Sequence, residues 1–259
     1  MFNGKKVLIL GVANNKSIAW GIAEALHAQG ADLAFTYVNE AIEKRLRPLA
    51  ESIGASRGGN VPLVLPCDVQ SDEEIDNLFH ELESRWGKID GIVHSVAYAE
   101  REDLQNPFSE TTRKGFHTAL DVSAYSLVAV AGRAKKLMQE GGAMITLTYL
   151  GSERAVENYN VMGVAKAALE SSVRYLAADL GPQNIRVNAV SAGPIKTLAA
   201  SGIPKFKELL NHFAEKAPLR RTVDTQDVAG TALYLLGQLS SGVTGEVIYV
   251  DGGYRIQGV

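Results

Sequence analysis

The strongest constraint on this chain is a rhythm, in which short apolar runs alternate with longer segments whose apolar residues recur at helical period. A strand that reads as a continuous apolar run is covered on both faces, and strands separated by helices join in parallel through crossovers. The runs fall at Val7 to Leu10, Asp32 to Tyr37, Pro62 to Leu65, Gly91 to His94, Ala143 to Thr148, Arg186 to Ser191 and Glu246 to Val250. Helical periodicity fills Ile18 to Gln29, Glu40 to Ile53, Asp72 to Trp86, Thr111 to Gln139, Val161 to Leu180 and Thr225 to Leu239. The fourth of these is about twice the length of an average helix, and Gly115 or Ser123 is the expected break. The expected fold is α/β, one doubly wound sheet of seven parallel strands with helices on both faces. No linker, repeat or low-complexity tract divides residues 1–259, so a single domain is expected.

Composition narrows the ligand more than the fold. With 46% hydrophobic and 21% charged residues, the chain can bury a large core and is expected to be neither disordered nor embedded in a membrane. No segment supplies the roughly eighteen uninterrupted apolar residues of a spanning helix. A formal net charge of -3 argues against a nucleic-acid footprint, which favours a small molecule or a locally steered protein partner. The only cysteine, Cys67, excludes an internal disulfide, and the scattered histidines have no cysteine partners at zinc spacing, so no metal is expected. The opening Met1-Phe2-Asn3-Gly4-Lys5-Lys6 runs into an apolar stretch without a small-residue cleavage site, from which a cytoplasmic location is expected.

The first run ends in "GVANNKSIAWG", residues 11–21, and opens at once into a helical segment. Such a turn aims backbone N–H groups and the positive end of a helix at one point, which predicts a pyrophosphate site in a Rossmann-like sheet. The spacing G-x-G-x-x-G is absent, so Ser17 stands open between phosphate ligand and helix N-cap, roles that can coexist. The third run closes on "PCDV", placing an acid where nucleotides bind in such sheets. Asp68 and the backbone of Val69 suit the edge of an adenine, unless Asp68 instead caps the helix from Asp72. After the fourth run, small Ser95 and Ala97 let the backbone approach a flat ring, and His94 reads as a packed core histidine. After the second run, "TYVNEAIEKR" brings Asn39 and Glu40 first and Lys44 and Arg45 only a helical turn later. A ribose 2′-phosphate wants an arginine there, so the residues point to NADH, with Asn39 at the ribose.

These stretches belong to a longer ordered series: "GVANNKSIAWGIA", "CDV", "TLTYLGSERA", "NYNVMGVAKAALE", "RVNAVSAGPIKTLAASGI", "PLRRT" and "GEVIYVDGG". Each is weak alone. In this order they span nearly the whole chain, which closely resembles the bacterial NADH-dependent enoyl-acyl carrier protein reductases, a divergent branch of the short-chain dehydrogenase/reductase superfamily. The resemblance implies that Gly11, Ser17 and Ile18 hold the pyrophosphate, that Asp68 and Val69 meet the adenine, and that Val96 follows the serine of the fourth strand at the cofactor. It implies a tyrosine pair and a lysine at Tyr149, Tyr159 and Lys166, a nicotinamide-side segment at Ile195 to Ala199, and Thr197 near the phosphates. It also implies a homotetramer and an acyl carrier protein bearing an enoyl chain as partner. Ala97 stands where some members have glycine, a change expected to alter inhibitor fit without changing the reaction.

Tyr159 precedes Lys166 by seven residues, whereas the commonest tyrosine and lysine pair of nicotinamide-dependent reductases is separated by four. On a helix the two gaps span about 10.5 Å and about 6 Å, and both keep the pair nearly on one face. The wider gap predicts a retracted phenol and a larger cavity. That suits an enoyl thioester, in which hydride goes to the β-carbon while charge develops on the thioester oxygen. Tyr159 is then the donor to the enolate oxygen, Lys166 the cofactor anchor, and Tyr149 a supporting residue at the substrate. Met162 and Gly163 leave no phenol at the usual spacing. An isolated pair of this kind is more often a packed ring and a solvated lysine. A carbonyl reductase on the same fold would keep the four-residue gap, and a non-catalytic NAD-binding protein would tolerate loss of either residue. Ser152 and Ser191 lack the G-x-S-x-G elbow of a serine hydrolase.

Residues 197–213, "TLAASGIPKFKELLNHF", combine small residues at 199–202 with a short amphipathic helix opened by Pro204. The resemblance makes this a mobile flap over the acyl chain, with Ile203 and Phe206 joining Ala97, Tyr149 and Tyr159 at the substrate. Lys205 and Lys207 at its rim would steer an acidic carrier. The alternative is a surface helix packed permanently on the sheet.

Overall fold

The computed structural model describes residues 1–55, 61–197 and 206–258. The first half runs β1 (Lys6–Leu10), α1 (Ile18–Ala28), β2 (Asp32–Tyr37), α2 (Glu40–Ala55), β3 (Leu63–Pro66), α3 (Asp72–Trp86) and β4 (Gly91–His94). Three short helices follow, α4 (Arg101–Gln105), α5 (Arg113–Leu120) and α6 (Ser126–Ala134). The second half comprises β5 (Gly142–Thr148), α7 (Asn160–Leu180), β6 (Ile185–Ala192), α8 (Phe206–Lys216), α9 (Thr225–Leu236) and β7 (Val247–Val250).

All seven strands lie in one sheet ordered β3-β2-β1-β4-β5-β6-β7, every neighbouring pair parallel. Successive residues of β1 feed opposite faces, Leu8 and Leu10 joining one core while Val7 and Ile9 join the other. This is why the strands read as unbroken apolar runs. Helices α3, α6 and α7 cover the first face through Leu78, Val130 and Leu169, and α1, α2 and α9 cover the second through Ile22, Leu46 and Leu235. The chain leaves β1 toward β2 on one side and returns to β4 on the other, so the strand order reverses between them. A crevice at the carboxyl ends of these strands is the geometric result. Among the described residues, no helix is long and apolar enough to cross a membrane.

The long helix expected over residues 111–139 is instead two helices around a π-type turn at Asp121–Tyr125. Thr112 starts α5 by accepting from Gly115 N (2.9 Å), so Gly115 lies inside a helix and is not the break. Ser123 lies in the turn. Its hydroxyl accepts from Tyr98 N (2.9 Å) and donates to Tyr98 O (3.1 Å), long-range bonds that no local periodicity encodes. Smaller differences are a β3 shifted one residue, to end on Pro66 at the sheet edge where a missing N–H does no harm, and an α9 that stops at Leu236 before a 3₁₀ turn at Gln238–Ser240.

His94, at the end of β4, is a core histidine as its position predicted. It is fully buried, with Nδ1 3.0 Å from Thr146 Oγ1 on β5 and Nε2 2.8 Å from Ser126 Oγ on α6. Burial, helped by the charge of Lys166, lowers its pKa from 6.5 to about 3. The unfolded chain takes up a proton that the fold refuses, so stability is full above pH 6.5 and falls as pH drops toward 3. His94→Gln is expected to remove that proton: its loss of stability between pH 7 and pH 5 in urea titrations should be about 2 kcal/mol smaller than the parent's. Equal losses in the two proteins would mean that the folded state accepts the proton.

Candidate active site

The carboxyl ends of the first four strands line a cleft of about 610 Å³. It gathers Gly11, Ser17, Ile18, Asn39, Asp68, Val69, Ser95, Val96, Ala97 and Thr197, most of the residues that the sequence assigns to a cofactor. Gly11 sets its floor. With φ at +94° it occupies a conformation that disfavours side chains, and a Cβ there would lie 2.0 Å from Ser95 O. The turns after β1 and β4 therefore touch only because residue 11 is glycine.

Ser17 occupies the N-cap position of α1 without capping it through its side chain. Its Oγ turns back to accept from Ala13 N (3.0 Å) and Asn14 N (3.1 Å), which leaves the hydroxyl proton to donate elsewhere. No acidic residue lies in the first turn. The helix thus presents an end that suits an anion, and the side-chain N-cap alternative is not made. The cap proposed for Asp68 belongs to Ser71, whose Oγ accepts from Glu74 N (3.2 Å). Asp68 instead braces its own turn, Oδ1 accepting from Gln70 N (3.0 Å) and its N donating to Glu74 Oε2 (2.7 Å). Asn39 Oδ1 accepts from Ile42 N (3.0 Å) at the start of α2. Of the two cations one turn on, Lys44 is engaged by Glu40 of its own helix (2.7 Å), and beyond Arg45 the next arginine, Arg47, pairs likewise with Glu43 (2.5 Å).

Tyr149, Tyr159, Lys166 and Ile195 do not line this cleft; the first three form a second group around the end of β5. Tyr149 follows β5 directly, and its ring meets that of Tyr159 edge to face, centroids 5.0 Å apart at 69°. Tyr159 is not in the helix, which corrects the reading of the pair as two positions on one helical face. It is the N-cap of α7, between Asn158 (φ 61°) and Asn160 (φ 38°), both left-handed. The ring's place is set by this turn, not by a helical rise. Asn160 Nδ2 donates to Leu104 O (2.9 Å) and Asn106 O (2.8 Å), tying the turn to the end of α4. Gly151 leaves room for the ring, since a Cβ there would lie 2.4 Å from Tyr159 Cδ1. Neither Gly151 nor Asn160 was singled out from the sequence, although two asparagines flanking a tyrosine are a signal for left-handed backbone.

Lys166 lies two turns into α7, is only 6% exposed, and donates from Nζ to Leu147 O (2.7 Å). Burial lowers it to about 8, against an upward push from Glu170. Tyr159 is driven the other way, well above the usual phenol range, by burial and then by Tyr149 and Glu170. Tyr149 is pushed up to about 12 by burial and then by Tyr254. At neutral pH the residues around the end of β5 are therefore two protonated phenols in contact and a buried ammonium held by Leu147 O, donors able to stabilise an oxyanion.

Ile195 packs against the core under α1 and α9, and Thr197 N donates to Ile195 O (2.8 Å). Ala199, Ile203 and Lys205 lie outside the described residues; Phe206 begins α8, on which Lys207 is exposed. From α8, Phe213 stacks on Tyr254 with centroids 3.7 Å apart.

Gly151→Ala is expected to displace the Tyr159 ring, changing the near-ultraviolet circular dichroism and lowering unfolding free energy by about 1–3 kcal/mol. Gly132→Ala, on α6 with nothing within 4 Å of its Cβ, is expected to leave both unchanged or to stabilise slightly.

Comparison with known proteins agrees with this geometry over the whole chain. The family model described as enoyl-(acyl carrier protein) reductase matches residues 11–255. The NADH enoyl-[acyl-carrier-protein] reductase of Nostoc sp. is 53% identical over 259 residues, 99% of this chain and 98% of that protein. Its counterpart from Bacillus cereus is 53% identical over 258 residues, 100% of this chain and 99% of that one. Among solved structures, the Bacillus cereus enzyme with NADP⁺ and an indole naphthyridinone matches at a TM-score of 0.97 and 52% identity, covering 100% of both chains. The Anaplasma phagocytophilum enzyme with NAD matches at 0.94 and 50%, covering 100% of this chain and 96% of that one. With a Rossmann-like sheet, a cleft at its switch point and matches of this extent, the chain belongs to the enoyl-(acyl carrier protein) reductase family.

Proposed function

We infer that this chain reduces the trans-2 double bond of an enoyl chain on acyl carrier protein with NADH, the reductive step of each fatty-acid elongation cycle. The observation that carries the reading is an edge-to-face tyrosine pair and a buried lysine gathered at the end of β5, on a family sheet whose cleft suits a dinucleotide. NADH, when bound, supplies the hydride. For the chain's own part, Gly11, Ser17 and Ile18 offer backbone and hydroxyl donors to the pyrophosphate, and Asp68 and Val69 take the adenine edge. Asn39 faces the adenosine ribose, Ser95 and Val96 let the backbone pass close to the cofactor, and Ile195 and Ala199 flank its nicotinamide side with Thr197 near the phosphates.

Tyr159 holds its proton at neutral pH and donates to the thioester oxygen as charge develops there. Lys166, protonated below about pH 8, donates to the nicotinamide ribose hydroxyls. Ala97, Tyr149, Ile203 and Phe206 complete the substrate pocket, under a flap formed by residues 197–213 in the single domain 1–259. The assembly is a cytoplasmic homotetramer, as the family resemblance implies.

An absorbance assay tests the reaction directly: crotonyl thioester should consume NADH, with higher catalytic efficiency than NADPH, and acetoacetyl thioester should not. Tyr159→Phe is expected to slow crotonyl reduction by about 10² to 10³ with NADH binding retained, whereas Lys166→Ala should weaken NADH binding itself. Unchanged NADH affinity in Lys166→Ala would reject the anchoring role.

Reversing Lys205 and Lys207 to Glu is expected to raise KM for carrier-bound substrate, more at low salt than at high salt, because steering by complementary charge is screened. Crotonyl thioester of coenzyme A should be much less affected; equal losses on both substrates would remove the docking role.

A further inference from the structure

Lys166 is assigned a cationic role inside the protein, and an isolated ammonium there is costly. One turn along α7, Glu170 is buried too, 7% exposed against 6% for Lys166. Consecutive residues at the end of β5 hold the two: Leu147 O takes the ammonium at 2.7 Å, and Thr148 Oγ1 donates to Glu170 Oε1 at 2.5 Å. The charges are thus bonded to neighbouring strand residues instead of to each other, within one buried layer between α7 and β5.

The other titratable groups coupled to this pair carry no compensating buried charge. His94 on β4 is neutral above about pH 3, and Tyr159 keeps its proton at neutral pH. Tyr249 on β7 bonds to exposed Glu153 and lies under the Arg255 guanidinium, 3.7 Å from its ring centroid, so its charged neighbours answer each other at the rim. Among the described groups coupled to Lys166, Glu170 is the one that favours its charged form.

We propose that Glu170 is a positioning residue, the buried counter-charge that keeps Lys166 protonated and fixes the upper pH limit of cofactor binding. Its functional consequence rests on Lys166 anchoring NADH; the electrostatic claim does not. Removing the carboxylate charge disfavours the ammonium, so the lysine loses its proton at lower pH and NADH affinity falls earlier as pH rises.

Glu170→Gln keeps the shape and an acceptor for Thr148, so a purely structural role would survive it. With ¹³C-labelled lysine, the Lys166 resonance, identified by its loss in Lys166→Met, is expected to titrate about one pH unit lower in Glu170→Gln protein without cofactor. NADH affinity should then be unchanged at pH 6 and weaker by roughly fivefold at pH 8. The same titration midpoint in both proteins would overturn the proposal. A shifted midpoint with NADH affinity indifferent to pH would uphold the counter-charge and reject the anchoring role. If Glu170→Gln alone does not fold, the double variant Lys166→Met/Glu170→Gln is expected to fold, since no charge is left unpaired. A double variant no more stable than the single would overturn the proposal.

Discussion

A parallel sheet of apolar strands must be covered on both faces, and this requirement organises the molecule. Covering two faces from one chain forces the crossovers to run outward from β1 in one direction and from β4 in the other. The gap where they diverge cannot be closed by a helix, because no connection spans it. What fills it is a pair of turns in contact, with Gly11 lying against Ser95. Donors at the uncapped start of α1 and small residues after β4 face the same gap, so the ligand site is a by-product of how the sheet is wound.

The chemistry at the end of β5 depends on the same dryness. Water is excluded because α7 packs on β5 and β6 through its apolar face, and burial favours the neutral forms of His94, Tyr149, Tyr159 and Lys166. Histidine and phenols accept that outcome. The lysine must resist it, and it does so by bonding a strand carbonyl with a carboxylate buried one turn away. A donor phenol and a cation can then be kept at the end of one strand, the cation buried at 6% exposure.

Much of this was legible in the sequence wherever a signal was local. The apolar runs located all seven strands to within a residue or two, and the strand-to-helix turn at Gly11 and the "CDV" stretch placed residues that do line one cleft. Signals that depend on distant partners were not legible. Ser123 interrupts a helical pattern because Tyr98, far away in sequence, takes up its hydroxyl. Ser17 sits at a cap position, yet its hydroxyl faces backward into its own loop. Glu170 reads as an ordinary helix acid until β5 is seen to bury it. The tyrosine and lysine were found by resemblance, but the helical spacing expected between them does not reach Tyr159, because the backbone turns left-handed at Asn158 and Asn160.

That break at residues 158–160 bears on how the two tyrosine arrangements of this superfamily can interconvert. Placing a phenol four residues before Lys166 means replacing Met162, a buried residue packed with Val161 and Ala165. The Tyr159 ring already occupies the neighbouring space against Gly151, whose carbonyl would lie 2.6 Å from a Cβ at Gly163. A tyrosine added at 162 would compete with the resident ring while the left-handed turn still delivered that ring to the site. The path between the two arrangements therefore runs through the backbone of the turn: Asn158 and Asn160 would have to give up their conformation, and with it the hold on the end of α4, before a shifted phenol had room to work.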